Sequence, residues 1–429
     1  MSVKLFGNSK RARLQKGAKK SPEEPKKHKV LNRIIIIFLV IVLVESLYCT
    51  AVFSNISVIA HYRTIWIETA MSTLSHQWLA TSFIPPAVVK AVTDQVSKAQ
   101  EAQIGISSAW NQGSKDVPQE PATPVPKEPE EAQMPEDQKA FYELFSEIDQ
   151  STMERYIEAN PLAVADGWDK VYINEAGLDD EGTDIYTVQG DQVLAIDAKN
   201  QIILIRVAGK GYRGILALAK DATRLSVQVS PTLGAYGSCA GEIAEAHNGV
   251  LAMTGSSFID PSGNGSGGIL AGYAMCDGVE YGHSHMGWGN KRIELHEDNL
   301  MYITDSQSPV SEGTTDAVEF TPALIVDGEI LVDENCGWNS YNPRAVIGQA
   351  ANHDIMMLIT EGRQLDAIGT GVVECANILA RYDCMQAMNL DGGSSAIMWF
   401  DGEYVTRCGN TSLYEGRPLP NAFVFEKAD

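Results

Sequence analysis

Beyond Arg33 the 429-residue sequence has no basic cluster. Eleven of its 33 Lys and Arg residues lie in the first 33 positions, against two acids there, Glu23 and Glu24. The remainder carries 22 basic residues against 53 acidic ones, a surface that repels nucleic-acid phosphates. Nucleic acid is therefore excluded as a partner. Also missing is any CxxC pair among the seven cysteines, which argues against a zinc site. Cys49 lies in an apolar run behind the bulky Tyr48, which argues against lipidation. Cys239, Cys276, Cys336, Cys375, Cys384 and Cys408 are left either to pair as disulfides outside the cytoplasm or to stay as buried thiols. No internal repeat is present.

What is there begins with a long hydrophobic run. Ile34 to Val44 is unbroken, Glu45 and Ser46 interrupt it, and apolar character continues to Ala60. About 20 apolar residues cross a bilayer as a helix, so residues 34–54 are expected to span one. The basic segment 1–33 in front marks the cytoplasmic side. Its length favours an uncleaved anchor over a cleaved signal peptide. The expected location is a single-pass cell-membrane protein with the later chain outside.

Residues 61–110 are expected to form a juxtamembrane helical segment, broken at Pro85-Pro86. Residues 111–138, containing PQEPATPVPKEPEEAQMPEDQ, hold almost no large apolar side chains and read as an extended spacer. Residues 139–167 form a helical lead-in, with Phe141, Leu144, Phe145 and Ile148 at helical spacing. Strand signals dominate from Trp168 to the end. Helices are expected over Gly241–His247 and Thr370–Tyr382, the second capped by Thr370. The fold class is α+β, a mixed β-sheet core with a few covering helices, plus one N-terminal transmembrane helix.

The chemistry concentrates in Met388 to Phe400, MNLDGGSSAIMWF. Gly392 and Gly393 allow backbone N–H groups to converge, and Ser394 and Ser395 add hydroxyls, a nest suited to phosphate or another anion. Asp391 stands beside it as acid, base or sugar-hydroxyl acceptor. The competing reading is a tight turn whose Asp and Ser cap their own backbone. Arg344 opens an apolar strand in NPRAVIG, Arg363 follows a strand ending in Glu361-Gly362, and Arg417 precedes the last strand. Three arginines at strand ends suit a phosphodiester.

This ordered set, PRAVIG, EGR with Gly369, a helix, NLDGGSS and RPLPNAFVF, resembles the phosphodiester glycosidase family over roughly Trp168 to Phe425. That family includes the animal uncovering enzyme and many bacterial proteins labelled as exopolysaccharide biosynthesis proteins. The resemblance implies a bacterial, extracytoplasmic hydrolase of a sugar-1-phosphate linkage in a polysaccharide, polymer or glycolipid. It implies a catalytic set of Asp391, Arg344, Arg363 and Glu361. Asn389, Gly392, Gly393, Ser394, Ser395, Thr254, Ser257, Asp260 and Arg417 are the implied substrate-binding residues. An earlier family element, usually Asn-Gly-Gly-Phe-Phe followed by Asp, stands here as Thr254-Gly255-Ser256-Ser257-Phe258-Ile259-Asp260, with Thr254 in the Asn position. That departure bears on substrate identity. A non-catalytic glycan-binding or assembly protein and a transferase using the same site are the alternatives.

No cofactor is required by this reading, and no calcium-ligand spacing appears. His283 and His285, beside Trp288, read as structural or sugar-stacking residues rather than metal ligands, as do Glu294 and His296. The partners expected are a glycan or glycosyl-phosphate substrate and the membrane.

Overall fold

The computed structural model describes residues 26–72, 76–110, 134–260, 265–282, 290–334 and 336–429. His283, His285, Trp288, Asn264 and most of the Pro/Glu-rich spacer fall outside them. The chain divides into two compact units between Arg63 and Thr64.

The first unit holds helix α1 (Lys26–Phe53) and the start of α2 (Ser57–Ser72). Val30–Phe53 is 24 residues of helix long and apolar enough to cross a membrane. At a rise of about 1.5 Å per residue it measures about 36 Å, enough for a hydrocarbon core of about 30 Å. Carbonyls at a helix end have no partner in the helix. Arg63 serves this end, donating from Nη1 to Val52 O at 3.0 Å and Ser54 O at 2.9 Å.

In the second unit the later half of α2 is followed by α3 (Trp78–Thr81) and α4 (Pro86–Gln103). Pro86 sits in the first turn of α4, where its missing N–H costs nothing, so Pro85-Pro86 starts a helix as well as ending a segment. The segment is helical as expected, yet it is not separate from the later chain. Gln103 is buried and its carboxamide donates to Ala323 O at 2.9 Å and accepts from Ala323 N at 3.1 Å. Trp110 Nε1 donates to Met301 O at 3.0 Å, and Lys291 Nζ reaches Ile106 O at 2.5 Å.

Helices α5 (Glu136–Leu144) and α6 (Gln150–Ala159) replace the single helical lead-in expected, because Asp149 restarts the helix by capping the amides of Ser151 and Thr152. Helices α7 (Ala240–Ala246) and α8 (Val372–Ala380) lie where expected. Thr370 does not cap α8. Gly371 holds that position without a side-chain bond, and Thr370 pairs with Asn342 through the backbone.

A nine-stranded sheet is central. Its order is Tyr172–Asn174, Val193–Asp197, Ile202–Gly209, Tyr212–Ala219, Ile355–Thr360, Arg344–Ala350, Cys384–Asn389, Ala323–Val326 and Glu329–Ile330. Its inner strands are largely apolar and buried on both faces, whereas the edge strands Tyr172–Asn174 and Glu329–Ile330 are mostly exposed. Ile202 and Leu204 face one cluster with Met253, Ile293 and Phe423 of two five-stranded sheets, whereas Ile203 and Ile205 face another with Phe141, Ile378 and Leu379 of the helices. One five-stranded sheet runs Glu403–Tyr404, Met398–Phe400, Gly249–Thr254, Asn421–Glu426 and Leu225–Val229. The α+β class holds, with one correction: every ladder between described strands is antiparallel, so the sheet is not mixed. Ile202–Gly209 with Tyr212–Ala219, and Arg344–Ala350 with Ile355–Thr360, are joined by short turns that pair strands this way directly.

The cysteines take the buried-thiol alternative here. All seven are unpaired, and Cys276, Cys336, Cys375, Cys384 and Cys408 are buried.

Candidate active site

Strand Cys384–Asn389 runs into the LDGGSS segment at the edge where the central sheet meets the Asn421–Glu426 sheet. Leu390 N still donates to Ala345 O at 2.8 Å, and then the ladder ends. Gly393 has φ +63°, and a Cβ there would lie 3.2 Å from the Arg363 guanidinium nitrogens, so both conformation and space ask for glycine. A short 3₁₀ turn, Gly393–Ser395, follows.

The turn is less of an anion nest than its composition suggests. Gly393 N donates to Pro343 O at 3.0 Å and Ser395 N to Gly392 O at 3.1 Å, so two amides are already spent inside the protein. The Ser394 carbonyl accepts the Cys408 thiol at 3.3 Å. Ser395 is buried and bonds its hydroxyl to Asp391. Asp391 is partly accessible, and desolvation by its surroundings pushes its carboxyl up to about 6, against the opposing pull of Ser395, Arg417 and Arg363.

Arg417 and Asp260 stand together near Asp391. Arg417 Nη1 donates to Asp260 at 2.5 Å and Nη2 to Gly265 O at 3.0 Å, with the guanidinium 4.7 Å from the Phe258 ring centre. The hydrogen bond from Arg417 holds Asp260 below the ordinary carboxylate range. Asp260 thus serves to orient Arg417. Arg363, at positive φ, donates from Nη2 to Asn342 Oδ1 at 3.0 Å and lies over Gly393.

Two members of the expected catalytic set stand elsewhere. Strand alternation puts Arg344 on the α8 face. There it is buried and bonded to Ser340 O at 2.7 Å, Ser340 Oγ at 2.9 Å, Trp338 O at 3.0 Å and Thr370 O at 3.3 Å. It is a clamp on backbone carbonyls. Glu361 is buried and accepts from Arg213 Nε at 2.8 Å, Arg407 Nε at 2.7 Å and Arg407 N at 2.9 Å. Two cations saturate it, which leaves no free oxygen for proton transfer.

The expected binding residues also divide. Asn389 is buried, donating to Thr321 O at 2.8 Å, with its Oδ1 unpartnered. Thr254 is fully buried and its hydroxyl has no partner. Ser257 is half-exposed, and its carbonyl accepts Ala271 N at 3.0 Å. Sequence reasoning passed over Asn421, whose side chain accepts Ser256 N at 2.7 Å and donates to Ser256 Oγ at 3.0 Å, pinning the turn that leads to Asp260. It also passed over Asn342 and Arg407. Asn342 stood in the NPRAVIG motif but was given no role there. Glu294 and His296 belong to a buried network with Arg292, Thr304 and Thr314. Among the described residues no group of three His, Cys, Asp or Glu side chains is gathered to hold a metal.

Residues 247–426 match the phosphodiester glycosidase family. The match takes in Thr254, Asp260, Arg363, Asp391 and Arg417, and begins later than the Trp168 start expected. A curated relative, the SPbeta prophage-derived uncharacterized protein YomE of Bacillus subtilis strain 168, is 26% identical over 157 residues. That stretch is 34% of this chain and 24% of the relative, so the chain spans about a quarter of the relative's length. Among solved structures, the catalytic domain of zebrafish N-acetylglucosamine-1-phosphodiester alpha-N-acetylglucosaminidase, auto-inhibited by its pro-peptide, is similar. Its TM-score is 0.44 at 17% identity, covering 52% of this chain and 82% of that one. A protein from Synechocystis gives a TM-score of 0.38 at 13% identity, covering 56% of this chain and 65% of that one. The phosphodiester glycosidase match therefore ends in the Asn421–Glu426 strand, and Asp391 with its arginines lies inside it.

Proposed function

We propose that this is a membrane-anchored hydrolase that cleaves a glycosyl phosphodiester, a sugar-1-phosphate linkage, outside the cytoplasm. The observation that carries the reading is Asp391, bonded to Ser395 and within electrostatic reach of Arg363 and Arg417 in the family-matched segment. The two guanidiniums neutralise charge on the phosphate as it leaves. The Asp391 carboxylate takes the proton of a water that attacks the anomeric carbon, or steadies the positive charge there. A phosphate monoester leaves readily, so a strong general acid is unnecessary. Helix Val30–Phe53 is the anchor, the basic residues before it lie in the cytoplasm, and the acidic remainder lies outside. The substrate proposed is a cell-surface polysaccharide, polymer or glycolipid, and the sheet unit from Trp168 onward carries the site.

A test incubates the full chain, in detergent or nanodiscs, with a panel of glycosyl phosphodiesters that includes UDP-N-acetylglucosamine, and measures released sugar. Release by the parent and its loss in Asp391→Asn are expected. Equal release by both would overturn the assignment of Asp391.

Thr254 in the position of the usual Asn favours a second reading, a glycan-binding protein without turnover. Glycan binding that Asp391→Asn leaves unchanged, with no sugar released, would support that reading. A transferase uses the same residues and is told apart by a product in which a hydroxyl compound, not water, carries the sugar.

A further inference from the structure

The segment Trp338–Asn342 is hydrogen-bonded both to helix α2 and to the site. On the α2 side, the buried Glu68 carboxylate accepts the backbone N–H of Asn339. One turn further, Ser72 Oγ accepts Asn342 Nδ2 at 3.3 Å. Within the segment, Ser340 Oγ accepts Asn342 Nδ2 at 3.1 Å, and the carbonyls of Trp338 and Ser340 hold Arg344. On the site side, Asn342 Oδ1 accepts Arg363 Nη2 at 3.0 Å. The Asn342 backbone exchanges hydrogen bonds with Thr370, N to O at 3.2 Å and O to N at 3.1 Å, so the residue cannot drift.

We infer that Asn342 is a positioning residue for Arg363, itself oriented by Ser72, so that the end of α2 sets the angle at which the guanidinium meets the substrate phosphate. Three facts support it. Among the described residues Arg363 makes no hydrogen bond to a carboxylate, unlike Arg417, and the Asn342 amide oxygen holds its Nη2. Its backbone is in the left-handed region, a conformation that needs local support. Asn342 is buried, and its carboxamide orientation is fixed by Arg363, a donor only, so exchanging oxygen and nitrogen would set an N–H against the guanidinium, whereas the Ser72 and Ser340 hydroxyls can serve either way. Glu68, Ile67 and Ala70 bury the same helix face, so Ser72 is held in register with the segment it touches.

The inference rests on the proposed role of Arg363, so its test includes a readout independent of turnover. In the full chain, Arg363 would be modified with phenylglyoxal and the rate followed by peptide mass spectrometry, with Arg155 on α6 as an internal reference. Asn342→Leu should speed Arg363 modification several-fold relative to Arg155, Ser72→Ala should speed it less, and Asn342→Asp, which keeps the acceptor, should restore slow modification. Unchanged Arg363 reactivity in a folded Asn342→Leu protein would overturn the inference whether or not the parent hydrolyses anything. Where the parent releases sugar, Asn342→Leu should lower kcat/KM by about tenfold, the loss of one hydrogen bond to a charged group. An altered reactivity with an inactive parent would keep the positioning role and refute the hydrolase reading instead.

Discussion

Arg417 and Asp260 meet at 2.5 Å within the electrostatic reach of Asp391, and they pull that carboxyl in opposite directions. Arg417 favours its charged form and Asp260 disfavours it, while desolvation outweighs both and leaves it near 6. The pair thus does two jobs: it aims a guanidinium and trims the charge beside Asp391.

The pair gives a first prediction. Arg417→Ala removes the cation and leaves Asp260 as an unpaired neighbour, so both changes raise the Asp391 carboxyl. The acid limb of kcat/KM should move to higher pH, and the replacement of both residues, Arg417→Ala with Asp260→Asn, should move it back toward the parent. A pH–rate profile of the three proteins measures this, and an unmoved limb would show that Arg417 does not act on Asp391.

The second prediction concerns the parent. Asp391 is raised, so it is half charged near pH 6 and charged above it. A reaction that needs its carboxylate should keep full kcat/KM above about pH 7 and lose about tenfold for each pH unit well below 6. Asp391→Asn should lower the rate by at least about a hundredfold at pH 7.5. A profile that rises on acidification would mean that the protonated form does the work.

Glu361 supplies the third. It holds Arg213 and Arg407 rather than substrate, with Arg407 also bonded to Asp366 at 2.9 Å. Glu361→Gln should cost stability, about 2 kcal/mol, as two charge-assisted bonds weaken, with the arginines' partial exposure keeping the loss modest. Denaturant unfolding reads the stability and a substrate titration the KM. A large fall in kcat at unchanged stability would return Glu361 to the catalytic set.

Glu68 supplies the fourth. Burial pushes its carboxyl up to about 7 despite the opposing charge of Arg344. Because its folded value lies above the unfolded one of about 4.5, the folded state binds the extra proton between them. Stability should be highest below about pH 4.5 as far as this group is concerned, and should fall as pH rises toward 7. Glu68→Gln should remove that slope and raise the melting temperature at pH 8. Parallel melts of parent and variant from pH 5 to 8 decide it, and identical slopes would refute it.

A last prediction follows from Gln103, Trp110 and Lys291. A chain begun at Lys139 lacks Gln103, Ile106 and Trp110, whose hydrogen bonds reach Ala323, Lys291 and Met301, so it should unfold less cooperatively than one begun at Thr64. Chemical denaturation with two probes compares them, and equal midpoints would make the segment dispensable.

Much of the molecule is written in local pattern. Ile355–Thr360 and Arg344–Ala350 match the strands expected, because an apolar run with both faces covered needs no information from elsewhere. The N-terminal helix long and apolar enough to cross a membrane follows from length and hydropathy, and LDGGSS from composition and glycine geometry. The sequence also brought Asp391 and Arg363 forward together with Arg344 and Glu361, and named Arg417 among the binding residues. What it did not contain was the direction of each side chain once distant strands met. Arg344 lies one residue from Pro343, whose carbonyl anchors Gly393, yet strand alternation turns its guanidinium to the helical face. Glu361 reads as a free acid until Arg213 and Arg407, 148 and 46 residues away, fill its oxygens. Asn342 is unremarkable until Ser72, 270 residues earlier, and Arg363 close on its two ends. Hydrophobic periodicity sets the elements, since burial depends on each residue's own side chain. Hydrogen-bond partners and charge depend on which groups the packing brings within about 3 Å, and only the tertiary structure decides that.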